Sequence, residues 1–176
     1  MLIVRKATLT DLTYIHDLSK KESKSIGFIP KMAYEAAVTG VKKGKRWSDK
    51  CNDGLWVCME NDDLVGFMLM SFGKVAKVNQ ICIQEDARKI KRGKALLKAG
   101  ITHGSTKGII DFGCGCADDL ESNKFWTAME WCKIGERKGI HYGNTWKESS
   151  DRLVNIYRHF ENGLFLPKHF KKEQPK

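Results

Sequence analysis

The sequence predicts an α/β (α+β) fold, a mixed central β-sheet flanked by helices. Three observations predict it. Apolar residues recur at helical spacing near the N-terminus, Leu9, Leu12, Ile15 and Leu18. The middle of the chain then changes period, with strand-like apolar and β-branched runs between Leu55 and Ile83. After Ile83 a helical pattern separates two strand-like segments, and a helix between two strands of one sheet implies a right-handed parallel crossover.

Taken in order, Leu2 to Val4 form a short strand, and Thr8 offers an N-cap with Asp11 three residues on. A polar stretch, Ser19 to Gly27, leads to Pro30. Proline suits the first turn of a helix, which continues through Met32, Ala33, Ala36 and Ala37 to Gly40. Leu55 to Met59 and Leu64 to Ser71 are strands joined across Asn61-Asp62-Asp63, an antiparallel hairpin, and Val75 to Ile83 is a third strand. Ala95 to Ile101 belong to a helix closed by Gly108, and Ile109 to Cys114 resume a strand. Asp118 or Asp119 can cap a further helix, and Lys133 to Phe160 read as two strands around a polar loop. The predicted order is β-α-α-β-β-β-α-β-α-β-β. Nothing in the 176 residues reads as a linker or repeat, so one domain over 1–176 with a basic tail at 168–176 is expected.

Composition narrows the function classes. No apolar run approaches the roughly 20 residues that span a membrane, and the N-terminus is charged too early for a secretory signal, so a cytoplasmic location is expected. Of the six cysteines, Cys114 and Cys116 are the only close pair, and no Cys-x-x-Cys set accompanies histidines, so no metal site is expected. The net charge is +10. Lys42, Lys43, Lys45 and Arg46 form one cluster, Arg88 to Lys98 another, and Lys168, Lys171 and Lys172 lie in the tail. That balance favours a polyanionic partner, nucleic acid above all.

The stretch Val78 to Leu97 carries the chemistry. A strand runs into a basic loop that opens onto a helix, so free backbone N–H groups and the positive end of the helix dipole converge on one point. Arg88, Lys89, Lys91, Arg92 and Lys94 strengthen this anion site, and Gly93 allows close approach. The stretch resembles the acyl-CoA-binding motif of Gcn5-related N-acetyltransferases (GNAT), Arg/Gln-x-x-Gly-x-Gly/Ala before an Ala- and Leu-rich helix. Arg88 matches its first position and Gly93 its last, while Lys91 stands where the family has glycine. Val4 to Leu12 is similar to the family's opening strand and helix. Leu64-Val65-Gly66-Phe67 resembles its third strand, and Asn123 to Trp131 its later helix, commonly ending Phe-Tyr-x-x-x-Gly-Phe.

The resemblance implies acetyl-CoA as acyl donor. Ile81, Cys82 and Ile83 would bond the pantetheine and polarise the thioester through backbone, Arg88 to Lys94 would hold the pyrophosphate, and Asn123 would touch CoA. It also implies a tyrosine acid where Trp126 stands and a glutamate base where Gln80 stands. An indole donates no proton at working pH, and Gln80 could only orient an acceptor or a water. His141, Tyr142 and Tyr157 near the C-terminal strands are the other catalytic candidates, with His16 and Glu60 behind them. An acceptor amine on a macromolecule, with nucleic acid favoured by the charge, is the leading expectation. The superfamily's phage Mom-type proteins, which modify adenine in DNA, and a non-catalytic nucleic-acid- or CoA-binding protein are the alternatives. Homodimers are common in the family.

Overall fold

In the computed structural model, which describes residues 1–41, 51–88, 90–142 and 147–161, strand β1 (Leu2–Lys6) enters a turn closed by Asp11. The Asp11 carboxylate accepts from the Thr8 backbone N–H at 2.7 Å and the Thr8 hydroxyl at 2.9 Å. The two terminal guanidinium nitrogens of Arg5 donate to it as well, at 2.7 and 2.9 Å. Hydrogen bonding from Arg5 holds the carboxyl well below the usual range, at about 2. Helix α1 (Leu12–Lys21) follows and buries Leu12, Ile15 and Leu18 at the predicted spacing.

The polar stretch expected after Leu18 is largely helical. Helix α1 continues to Lys21, and a single turn, α2 (Ser23–Ile26), follows. Lys and Glu tolerate helix well without any apolar period to announce it. Pro30, extended, precedes α3 (Lys31–Thr39), and Gly40 ends it at φ 74° with its N–H on the Ala36 carbonyl.

The first compact unit, Met1–Ile109, holds β2 (Asp53–Glu60), β3 (Asp63–Ser71) and β4 (Ala76–Ile83). These lie in the order β1-β2-β3-β4, each antiparallel to its neighbour. Asn61 and Asp62, at φ 51° and 72°, make the two-residue turn of the β2–β3 hairpin. One sheet face buries Leu55, Val57, Phe67, Leu69 and Cys82 against Ile15, Leu18 and Tyr34 of α1 and α3. The other carries α4 (Ile90–Ser105), with Gly100 against Met68 and Met70 and His103 edge-on to Trp56. At Gly66 a side chain has no room, because a Cβ would stand 2.5 Å from the Cys82 carbonyl oxygen.

The second unit, Ile110–Lys176, contains β5 (Asp111–Ala117), α5 (Ser122–Ala128), β6 (Cys132–Tyr142) and β7 (Lys147–Phe160). Strand β7 pairs antiparallel with both β5 and β6. Helix α5 starts later than the aspartates that were expected to cap it, with Glu121 at its N-cap. It ends in a Schellman turn: Trp131 N–H bonds the Trp126 carbonyl at 3.1 Å and Glu130 N–H that of Thr127 at 2.9 Å. Glu130 takes the left-handed position at φ 61°.

Candidate active site

Strand β4 and the segment after it form one continuous feature. Burial alternates along the strand, with Gln80 and Cys82 inside and Ile81 and Ile83 half-buried. The ladder slips at Asn79, which opposes no residue between the pairs Leu69–Gln80 and Met70–Val78. Such a bulge bends the strand that carries it. Beyond Ile83 the Gln84 N–H bonds the Val65 carbonyl at 2.9 Å, and its side chain accepts from the Tyr14 hydroxyl at 3.0 Å. A 3-10 turn, Glu85–Ala87, then delivers the chain to α4.

The first turn of α4 contains no acidic residue, and Lys91 and Lys94 are exposed on it. Its leading N–H groups have no partner within the helix. The Arg88 side chain, 51% exposed, donates to Glu22 at 2.6 Å and to the Ile83 carbonyl at 3.3 Å. Arg92 is placed differently from the phosphate-binding expectation. It is buried, donates to the Ala87 carbonyl at 2.7 Å and pairs with Glu60. The helical period explains this: Lys91 and Lys94 lie on the outer face and Arg92 on the inner one. Gly93 is buried beside it, and Lys89 lies outside the described residues.

Gln80 is 3% exposed and fully engaged. Its oxygen accepts from the Tyr34 hydroxyl, which also bonds the Ser19 hydroxyl at 2.7 Å. Its nitrogen donates to the Gly27 carbonyl at 2.8 Å and the Ile26 carbonyl at 3.3 Å. The side chain expected to orient an acceptor is therefore spent on holding the α2–α3 turn to β4.

In the second unit, Asn123 plays a comparable part. Its nitrogen donates to the carbonyls of Ala117 and Leu120, each at 2.7 Å. Its oxygen accepts from the Asn155 amide and the Tyr157 hydroxyl, each at 2.9 Å. The amide expected to touch CoA thus locks the start of α5 to β7. Tyr157, 4% exposed, stacks on Trp126 at 6.4 Å between ring centres. Burial raises its pKa, so the phenol stays protonated. The side chains of His141 and Tyr142 lie outside the described residues, while His16 is half-buried on α1.

Burial pushes the thiol of Cys82 up to about 12 and raises those of Cys58, Cys114 and Cys116. None of these four is a thiolate nucleophile at neutral pH. Among the described residues no group of three or more His, Cys, Asp or Glu could hold a metal ion. None of their helices is long and apolar enough to cross a membrane.

Comparison with known proteins decides the family. The model described as the acetyltransferase (GNAT) family matches residues 20–131, well over half of the chain. The chain belongs to the GNAT acetyltransferase family. None of the curated proteins compared with it matches. Solved GNAT structures share its fold at low identity. Arabidopsis thaliana NAA60 in complex with acetyl-CoA is 11% identical, with 93% of this chain and 100% of that one covered at a TM-score of 0.72. The Salmonella typhimurium acetyltransferase that modifies the N-terminal serine of ribosomal protein L7/L12 is 17% identical, covering 90% and 94% at 0.70. The Escherichia coli ribosomal-protein-S18-alanine N-acetyltransferase is 13% identical, covering 94% and 99% at 0.64.

A GNAT acetyltransferase takes its acyl group from acetyl-CoA, and the β4–α4 junction fits that donor. It offers helix N–H groups, two outward lysines and a half-exposed arginine, with no carboxylate in the first helical turn, while the exposed carboxylates of Glu85 and Asp86 lie in the 3-10 turn before it. Lys91 and Lys94 are exposed on α4, Arg88 is half-exposed before it, and Ile81 and Ile83 of β4 are half-buried. Glu130 occupies the place of the glycine in the family's Phe-Tyr-x-x-x-Gly-Phe ending, and its φ of 61° is the conformation that glycine adopts without strain. That position supports aligning Trp126 with the family's tyrosine. Sequence reasoning missed Glu22, Tyr34 and Asn155. Only their partners were legible as candidates, and nothing local in the chain announces a contact 66 residues away such as Arg88 with Glu22.

Proposed function

We propose that this GNAT protein acetylates an amine on a negatively charged macromolecule, with nucleic acid as the acceptor. The distribution of charge carries the reading. Residues 42–50 hold five basic residues and one acidic, and residues 162–176 hold four basic and one acidic. Much of the +10 excess is thereby concentrated in two segments remote in sequence from the donor motif. Phosphate neutralisation by such clusters supplies sequence-independent affinity.

The residue at the family's usual base position points the same way. A lysine acceptor, with a pKa near 10.4, has to lose a proton before it attacks, whereas an N-terminal amine, near 7.7–8.0, is already partly neutral. The exocyclic amine of a nucleobase is already neutral. Gln80 stands where the family often has glutamate, and both ends of its amide are committed. An acceptor that needs no deprotonation before attack suits such a site. In the transfer, the amine nitrogen bonds to the acetyl carbon, the carbon–sulfur bond breaks, and the amine proton passes to solvent or thiolate.

Protein amines are the second reading, since two of the structurally similar enzymes act on ribosomal proteins. Labelled acetyl-CoA supplied with single-stranded DNA, duplex DNA, tRNA or a serine-initiated peptide separates the two. Label in nucleic acid, with stoichiometric free CoA, supports the proposal. Label in the peptide alone supports the second reading. Acetyl-CoA binding without any transfer would leave a binding protein of GNAT fold.

A further inference from the structure

Phe28 is the exposed aromatic side chain of the described residues, 68% accessible. A single exposed apolar residue is ordinary on a protein surface. Three observations set this one apart. The first is its mounting. Ile26 and Ile29 on either side pack against the buried cluster of α1, α3 and the sheet, so the turn is anchored inward while Phe28 faces out. The carbonyls of Ile26 and Gly27 are held by the Gln80 amide, and the Gly27 N–H bonds the Ser23 carbonyl at 2.9 Å. Pro30 restricts the backbone beyond it. The ring therefore sits on a pre-ordered turn, which limits the entropy lost on contact.

The second observation is its electrostatic setting. Lys20, Lys21, Lys24 and Lys31 are exposed within eight residues of Phe28. Within the same span the carboxylates are Glu22, which is paired with Arg88, and Glu35, which is half-buried. The third is its position. The backbone next to Phe28 is hydrogen-bonded to Gln80 of β4, one residue from Ile81, whose backbone belongs to the proposed donor site.

We propose that Phe28 is the stacking platform for an unpaired base of the acceptor, with the flanking lysines facing its phosphates. An aromatic face among cations binds single-stranded nucleic acid in this way, the ring by stacking and the ammonium groups by charge. The inference rests on the nucleic-acid reading above and names the part of the acceptor that is held.

Phe28→Ala, Phe28→Trp and wild type are compared on a short single-stranded DNA oligonucleotide and on tRNA. Thermal melts confirm folding, and calorimetry gives the acetyl-CoA Kd. The expected result is an acceptor KM raised roughly tenfold in Phe28→Ala, from the stacking of one base. Phe28→Trp should restore it to within about threefold of wild type, since an indole also stacks. The acetyl-CoA Kd and the melting temperature should not change. Wild-type acetylation of nucleic acid with an unaltered KM in Phe28→Ala overturns this inference alone. Wild type inactive on and unbound to both nucleic acids overturns the acceptor reading and this inference with it.

Discussion

The side-chain amide of Gln80 donates to the backbone oxygen of Gly27 at 2.8 Å, so a residue of β4 holds the turn between α2 and α3. The same amide accepts from Tyr34 on α3. Gln84, four residues on, accepts from Tyr14 of α1, and Arg88, four further, pairs with Glu22 at the end of α1. Three polar ties at intervals of four residues thus join the helical layer to β4 and its loop.

Gln80→Glu should not create a working base. It removes both donors from the Ile26 and Gly27 carbonyls and sets an oxygen against them in a buried site. A cost of about 2–4 kcal/mol is expected in urea unfolding at pH 7. The new carboxyl, favoured in its protonated form when folded, binds its proton more tightly in the native state. The loss should therefore shrink as pH falls and grow as pH rises. A variant as stable as wild type would show that the amide's bonds matter little.

Arg88 and Arg92 should separate cleanly although both lie in the motif. Arg92→Met removes the partners of Glu60 and the Ala87 carbonyl and should cost about 1–3 kcal/mol in stability. Its acetyl-CoA Kd should stay within about twofold of wild type, because the side chain faces inward. Arg88→Ala, losing a half-exposed pair, should cost under about 1 kcal/mol in stability. It should weaken acetyl-CoA about tenfold, as loss of one phosphate contact does. Calorimetry together with chemical unfolding gives both quantities.

Asp11 gives the protein an acid-sensitive contribution. Its folded pKa, at about 2, lies below the value near 3.9 of an unfolded aspartate. The stabilisation is present in full above about pH 5 and disappears as pH falls from there toward 2, about 2 kcal/mol in all. Asp11→Asn should lower stability by that amount at pH 7 and flatten the pH dependence between about 5 and 2. Urea midpoints across that range test it.

Glu130 carries a left-handed backbone that an L side chain adopts at a cost. Glu130→Gly should stabilise by about 0.5–1 kcal/mol despite the freer unfolded chain, and Glu130→Val should destabilise. Thermal melts of the two variants should move in opposite directions.

Much of the fold was legible because local chemistry dictated it. Thr8 with Asp11, Pro30 with Gly40, and Asn61-Asp62 each mark an element boundary by their own backbone preferences. The strands of β2 to β4 follow from β-branched and apolar composition. The extension of α1 and the turn α2 were not legible, because Lys20 to Ser25 show no apolar period, and tertiary contacts of Ser19 and Ile26 order them. The strand–basic loop–helix pattern from β4 to α4 was legible. Which cations face outward was not, since adjacent helical residues differ by about 100° in direction.

By itself the sequence determined the α/β order, the position of the basic loop between β4 and α4, the absence of a glutamate and a tyrosine at two expected catalytic places, and the charge excess. Those are properties of residue type and local spacing. Tertiary structure alone decided that Gln80 and Asn123 serve as internal ties, that Arg92 turns inward while Arg88 stays half-exposed, and that Phe28 remains in solvent between two half-buried isoleucines. Each outcome depends on which distant backbone carbonyl or carboxylate packs within hydrogen-bond reach, and no local rule of the chain encodes that distance.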